Sequence, residues 1–166
     1  MKVGFIGLGT MGQKIALNAV KGGQDLVVND LARQLATPLL EAGAKWADTP
    51  AGVTEGADVI MMSLPGPPEF EAVTLGPGGL IETIQPGQIV CDLTTNSPTV
   101  VRRVAEKFAE KGAHLMDAPV SGGPSGALTG KMAIWVGGDR AAYDKVLPVL
   151  QSVSDQPEYI GDVGSG

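Results

Sequence analysis

The run Gly7-Leu8-Gly9-Thr10-Met11-Gly12 constrains this chain more than any other stretch, because it leaves one kind of segment and enters another without a gap. Before it stands the apolar run Val3–Ile6, which has the pattern of a buried strand. After it, Met11 to Val20 places Met11, Ile15, Ala16 and Ala19 on one helical stripe, and Gly22-Gly23 stops the helix. Between a strand and a helix, three glycines at this spacing have separate uses. The first permits a tight turn, the second lets another group approach the backbone, and the third lets helix and strand pack closely. With 24 glycines in 166 residues, spacing alone is weak evidence, and a plain strand-to-helix turn is the competing explanation.

The rest of the chain repeats the alternation. Short apolar runs at Leu26–Asn29, Val59–Leu64, Gln88–Leu93 and Leu115–Met116, with a weak one near Lys45-Trp46, predict strands buried on both faces. Lys131 to Val136 and Glu158-Tyr159-Ile160 predict two more. Ser97-Pro98 predicts a cap and first turn for a helix running to Lys111, where Gly112 ends it. Asp139 predicts the cap of a last helix reaching about Leu150, which Pro148 should shorten or bend. The expected fold class is α/β: a Rossmann-type, doubly wound, mostly parallel sheet with helices on both faces.

In such a fold the glycine turn is expected to hold a pyrophosphate, and an acidic residue about 20 positions on should meet the adenosine ribose. Asp30 ends the second strand as Leu26-Val27-Val28-Asn29-Asp30, so Gly7 to Gly12 with Asn29 and Asp30 form the candidate cofactor set. An ordinary turn residue is the plainer account of Asp30. A carboxylate there accepts from ribose hydroxyls and repels a 2′-phosphate, which favours NAD. Arg33 lies close enough to meet a 2′-phosphate, so NADP stays open.

Composition narrows the partners. The net charge is −6 with no basic stripe, which argues against nucleic acid. One cysteine (Cys91) and one histidine (His114) build neither a disulfide nor a usual zinc site. No apolar run is long enough for a membrane span, and no signal peptide precedes Lys2, so a soluble cytoplasmic protein is expected. Cys91 and His114 are expected to be structural, and Lys131 a solvated charge.

A second unusual segment, Asp117-Ala118-Pro119-Val120-Ser121-Gly122-Gly123-Pro124-Ser125-Gly126-Ala127, leaves a strand and presents backbone N–H groups beside a hydroxyl. Such a nest suits a carboxylate, and a flexible surface loop explains the composition equally well. Taken with the opening Val3-Gly4-Phe5-Ile6-Gly7-Leu8-Gly9-Thr10-Met11-Gly12, this segment resembles the β-hydroxyacid dehydrogenase family. That family includes 3-hydroxyisobutyrate dehydrogenase, tartronate semialdehyde reductase and related semialdehyde and glyoxylate reductases. The resemblance runs along essentially the whole chain.

The resemblance implies that Ser121, Gly122 and Gly123 hold a small substrate's carboxylate. It implies that Leu64 and Pro65 lie against the cofactor, and that Thr95 in Asp92-Leu93-Thr94-Thr95 reaches its nicotinamide side. Two departures stand out: Glu69 replaces an Asn found in some relatives, and Asn29-Asp30 lacks the Arg of NADP-preferring members. The family's proton-exchanging lysine, a general acid or base, would follow about five residues beyond Gly166. Gly164-Ser165-Gly166 matches the opening of its motif.

On this view residues 1–161 form the cofactor domain and 162–166 open a flexible linker to an all-helical domain that carries the homo-oligomer contact. The chain alone would bind NAD or NADP with little turnover, and an apolar face would lie exposed. Two alternatives remain: a stand-alone nucleotide-binding or sensing module, and an imine-reducing relative, against which the Ser-Gly-Gly element argues.

Overall fold

In the computed structural model, which describes residues 1–166, nine strands form one sheet. Six are parallel in the order β3-β2-β1-β4-β5-β6: β1 (Lys2–Ile6), β2 (Asp25–Asn29), β3 (Lys45–Trp46), β4 (Val59–Met62), β5 (Ile89–Asp92) and β6 (His114–Asp117). Beyond β6, β8 (Ala133–Gly137) runs antiparallel to both β6 and β7 (Val120–Ser121), and β9 (Gln156–Gly161) lies parallel to β8. The chain builds outward from β1 to β3, then returns to lay β4 on the other side of β1. This reversal opens a crevice at the carboxyl ends of β1 and β4.

Alternate strand residues feed two cores. Val3, Phe5, Val59, Met61, Ile89, Cys91 and Met116 face α1 (Gly12–Lys21) and the later helix α7 (Arg140–Val153). Ile6, Ile60, Met62, Val90 and Leu115 face α4 (Pro67–Leu75) and α5 (Pro98–Glu110). Both faces are therefore dry, which is why these strands read as unbroken apolar runs. The short helices α2 (Thr37–Glu41), α3 (Pro50–Val53) and α6 (Gly123–Thr129) complete the connections.

Strand and helix ends differ from the sequence expectations by one to three residues. Four differences have physical causes. Ser97 sits at the N-cap of α5, but its hydroxyl makes no capping bond; its own N–H goes to Asn96 Oδ1 at 2.8 Å. Asp139 does cap α7, accepting from Ala142 N at 2.8 Å. That helix passes through Pro148 and continues to Val153, because Val149, Leu150 and Val153 are all buried beyond it. Each buried apolar side chain is worth about 1.5–3 kcal/mol, enough together to offset the ~3 kcal/mol cost of an interior proline.

The segment 120–129 is not a free loop: it forms β7 and α6, and Asn18 Nδ2 of α1 donates to Ala127 O at 2.7 Å. The last five residues are hydrogen-bonded to Asp117 and Arg102. No helix is long and apolar enough to cross a membrane. On β8 and β9, the face opposite α7 exposes Trp135 (41%) and Ile160 (44%).

Candidate functional site

Every residue singled out for cofactor binding lies at or just beyond the carboxyl end of β1, β2, β4 or β5. The turn after β1 is held from three sides. Gly7 N donates to Asn29 O at 3.1 Å, Leu8 N donates to Asp30 Oδ2 at 2.6 Å, and Ser63 N reaches Ile6 O at 2.9 Å. Gly7 has φ +89, and a Cβ there would strike the carbonyl of Ser63. A Cβ on Gly12 would strike the carbonyl of Gly7, so this glycine lets α1 begin directly on the turn. Gly9 differs: a Cβ there would meet nothing within 4 Å.

Gly9, Thr10, Met11 and Gly12 are the donors left over. None of their backbone N–H groups has an acceptor in the protein. Four free N–H groups at the start of a ten-residue helix make an anion site by geometry and by the helix dipole. The open side of Gly9 gives a phosphate room to come down onto them. These residues fit a dinucleotide pyrophosphate.

Asp30 is fixed rather than mobile: Oδ1 accepts from Ala32 N at 2.8 Å while Oδ2 holds Leu8 N. The same carboxylate therefore shapes the glycine turn and stands at the carboxyl end of β2. Asn29 is buried, and its side-chain amide donates to Ala47 O at 2.9 Å, tying β2 to the segment after β3. Its carbonyl, not its side chain, serves the turn. Arg33 lies over the ring of Trp46, 5.2 Å from its centroid, and 3.8 Å from Asp48.

On the other half of the crevice, Pro65 and Thr95 are exposed and Leu64 is half-buried. Thr94, absent from the sequence-derived set, joins their loops: its Oγ1 accepts from Leu64 N at 3.0 Å. Asp92 shapes the same turn, accepting from Thr94 N at 3.1 Å and from Asn96 Nδ2 at 2.8 Å. Both residues were visible only as parts of a strand end, since their partners come from folding.

Burial pushes the Asp92 carboxyl up to about 6; the bonds from Thr94 and Asn96 pull it down, and the charge of Asp117 beside it pushes it further up. The folded protein thus holds this proton more tightly than the unfolded chain, whose carboxyl titrates near 3.8. The stability it contributes is full below pH ~4 and is lost as pH rises through ~6, about 3 kcal/mol in all. Urea unfolding of the wild type and Asp92→Asn from pH 4 to 7 should show the wild type losing that advantage. Parallel pH profiles would rule this out. Cys91, one residue earlier, is fully buried, and burial with the Asp92 charge pushes its thiol up to about 12. It is a core residue, as expected.

Ser121, Gly122 and Gly123 are exposed at the junction of β7 and α6. The N–H groups of Gly122, Gly123 and Ser125 find no acceptor. Lys131 follows nearby, exposed, its backbone carbonyl 3.0 Å from where a Gly122 Cβ would stand. His114 opens β6 at its amino end, opposite the carboxyl-end crevice, and lines a separate cavity of about 480 Å³ with Arg102 and Asp139. A second cavity of about 480 Å³ lies beside β2 and β3 among Asp25, Lys45 and Glu55. Neither touches the phosphate turn, which is an open groove rather than an enclosed hollow.

Comparison with known proteins agrees with this geometry. A family model described as the NAD binding domain of 6-phosphogluconate dehydrogenase matches residues 2–161. The 2-hydroxy-3-oxopropionate reductase of Escherichia coli strain K12 is 37% identical over 166 residues, covering all of this chain and 56% of that protein. The 3-hydroxyisobutyrate dehydrogenase of Pseudomonas aeruginosa is 37% identical over 164 residues, covering 99% of this chain and 55% of that protein. The solved Mycobacterium tuberculosis 3-hydroxyisobutyrate dehydrogenase with L-serine superposes with a TM-score of 0.91 at 29% identity, covering 99% of this chain and 56% of that one. The chain spans a little over half the length of the relatives it matches. Fold, glycine turn and near end-to-end similarity agree: the chain belongs to the β-hydroxyacid dehydrogenase family, as the NAD-binding domain that the family shares with 6-phosphogluconate dehydrogenase.

Proposed function

We propose that this chain is the cofactor domain of an oxidoreductase acting on a small 3-hydroxy acid or semialdehyde, and that it takes NAD in preference to NADP. The observation that carries the reading is the set of four unpaired N–H groups at Gly9 to Gly12, beside open space at Gly9 and a fixed carboxylate at Asp30. The turn binds the pyrophosphate. Asp30 receives the adenosine ribose hydroxyls on its remaining lone pairs and disfavours a 2′-phosphate. Arg33, held against Trp46 and Asp48, is drawn toward the opposite flank. Leu64, Pro65 and Thr95 border the nicotinamide end.

The bound nicotinamide supplies or accepts a hydride. The N–H groups of Gly122 and Gly123, with the Ser121 hydroxyl, orient the substrate by its carboxylate. Proton exchange needs a group within hydrogen-bond reach of the substrate hydroxyl. His114 stands at the amino end of β6, away from the carboxyl-end crevice, and Lys131 is a solvated side chain with no ion-pair partner. Residues 1–166 therefore bind cofactor with little turnover. Proton exchange, completion of the substrate cleft and self-association belong to further helical sequence of the kind the relatives' length allows.

Calorimetric titration with NADH and NADPH tests the cofactor assignment. NADH should bind several-fold more tightly. Tighter NADPH would show that Arg33 outweighs Asp30, and a folded chain that binds neither would remove the dinucleotide reading.

A further inference from the structure

The segment after β9, glycine-rich and short of side chains, is held by side chains from two other elements. Gly164 N donates to Asp117 Oδ1 and Gly166 N to Asp117 Oδ2, each at 2.6 Å. Asp117 is 6% exposed and has no cationic partner, so these two N–H groups are what satisfy its buried carboxylate. From the other side Arg102 of α5 grips the segment's carbonyls, with Nε 3.2 Å from Val163 O and Nη2 3.1 Å from Gly164 O. One side chain takes the donors and another takes the acceptors.

The fit leaves no room for larger residues. A Cβ on Gly166 would stand 2.6 Å from Asp117 O and 2.8 Å from Pro119 Cδ. On Gly137 it would stand 2.7 Å from Asp162 O and 2.9 Å from Gly166 N. Glycine in this segment brings the backbone close to a carboxylate, the opposite of the flexibility its composition suggests.

What the docking builds is a small cavity of about 120 Å³ at the carboxyl ends of β5 and β6, lined by Thr94, Thr95, Asn96, Asp117, Pro119 and Gly166. Its two sides are shaped by adjacent aspartates, Asp92 and Asp117, paired in the β5–β6 register. Asp92 holds the Thr94–Asn96 turn on one side, and Asp117 holds residues 164–166 on the other. In a doubly wound sheet the β1–β3 half takes the adenosine and the β4–β6 half takes the second mononucleotide.

We propose that Asp117 and Arg102 are positioning residues that dock residues 162–166 as a fixed wall of the nicotinamide half of the crevice. This rests on the dinucleotide reading above.

The test compares NADH with ADP-ribose, which keeps the adenosine and pyrophosphate but lacks nicotinamide. Three variants loosen the segment by different routes: Gly166→Ala, Arg102→Ala and Asp117→Asn. Gly166→Ala alters only the last residue, so it remains informative if Asp117→Asn does not fold. In each folded variant, amide exchange at Gly164 should speed up about tenfold or more as its bond opens. NADH should bind about five- to tenfold more weakly, while ADP-ribose affinity stays within about twofold. Faster exchange with unchanged NADH affinity overturns the wall, as does equal weakening of both ligands. Failure of the wild type to bind ADP-ribose would remove the dinucleotide reading itself, and the wall with it.

Discussion

Alanine at Gly9 should leave the protein's stability intact and remove most of its affinity for NADH, whereas alanine at Gly7 or Gly12 should destabilise the fold. The three glycines share one motif and differ in what surrounds them. A methyl group at Gly9 points into open space, so stability should change by less than about 0.5 kcal/mol. That open space is where a phosphate must lie to reach the free N–H groups of residues 9–12. Pushing it away weakens hydrogen bonds to a charged group, worth ~1.5–3 kcal/mol each, or roughly ten- to a hundredfold in affinity.

At Gly7 the methyl group meets the Ser63 carbonyl, and φ +89 is left-handed. The backbone conformation costs about 1–2 kcal/mol and the crowding about 1–3 kcal/mol, giving ~3 kcal/mol together. Gly12→Ala escapes the first cost but not the second. Urea unfolding and NADH calorimetry on the three variants separate the cases. An unfolded Gly9→Ala, or one that binds NADH normally, would contradict the assignment of the turn.

Phe108→Ala should be among the most damaging single changes in the core, at about 3–5 kcal/mol. Phe108 is fully buried on α5 and packs in the same cluster as Phe70, Val90, Val104 and Leu115. No nearby element is placed to collapse into the gap, since Phe70 lies on α4 and Leu115 on β6. Trp135→Ala is the control: a larger side chain on an exposed face, expected to cost less than about 1 kcal/mol. The core change also reaches the site, because α5 carries Arg102 and follows the Thr94–Asn96 turn. Chemical denaturation of both variants measures the contrast, and equal losses would mean that the β8–β9 face is not free.

The phosphate turn, the acidic residue after β2 and all of the strands except β7 were legible because each is a local pattern. Strands buried on both faces give short apolar runs, and a glycine turn between strand and helix is written in consecutive residues. The helices α2, α3, α4 and α6 carried weaker signals. Two are single turns, α4 starts on Pro67-Pro68, and α6 is built from Gly-Pro-Ser-Gly-Ala-Leu-Thr, poor formers stabilised by packing beneath α1. Ser97 looked like a capping residue by type and position, but Asn96 took its N–H instead.

The largest gap between sequence and structure lies in the last five residues. Gly-rich composition reads as mobility when it is taken alone. Here Gly164 and Gly166 meet a carboxylate 47 and 49 positions away, and Arg102 grips the segment from 61 and 62 positions away. The sequence by itself determined the layered sheet, the glycine turn and the acid beside it, because these depend on residue period and on glycine at neighbouring positions. Only the tertiary structure decided that Asp30 braces the turn, that Asp92 and Asp117 shape adjoining loops, and that residues 163–166 dock on Asp117 and Arg102. Those roles depend on which buried donor meets which buried acceptor, and such partners are chosen when the strands assemble.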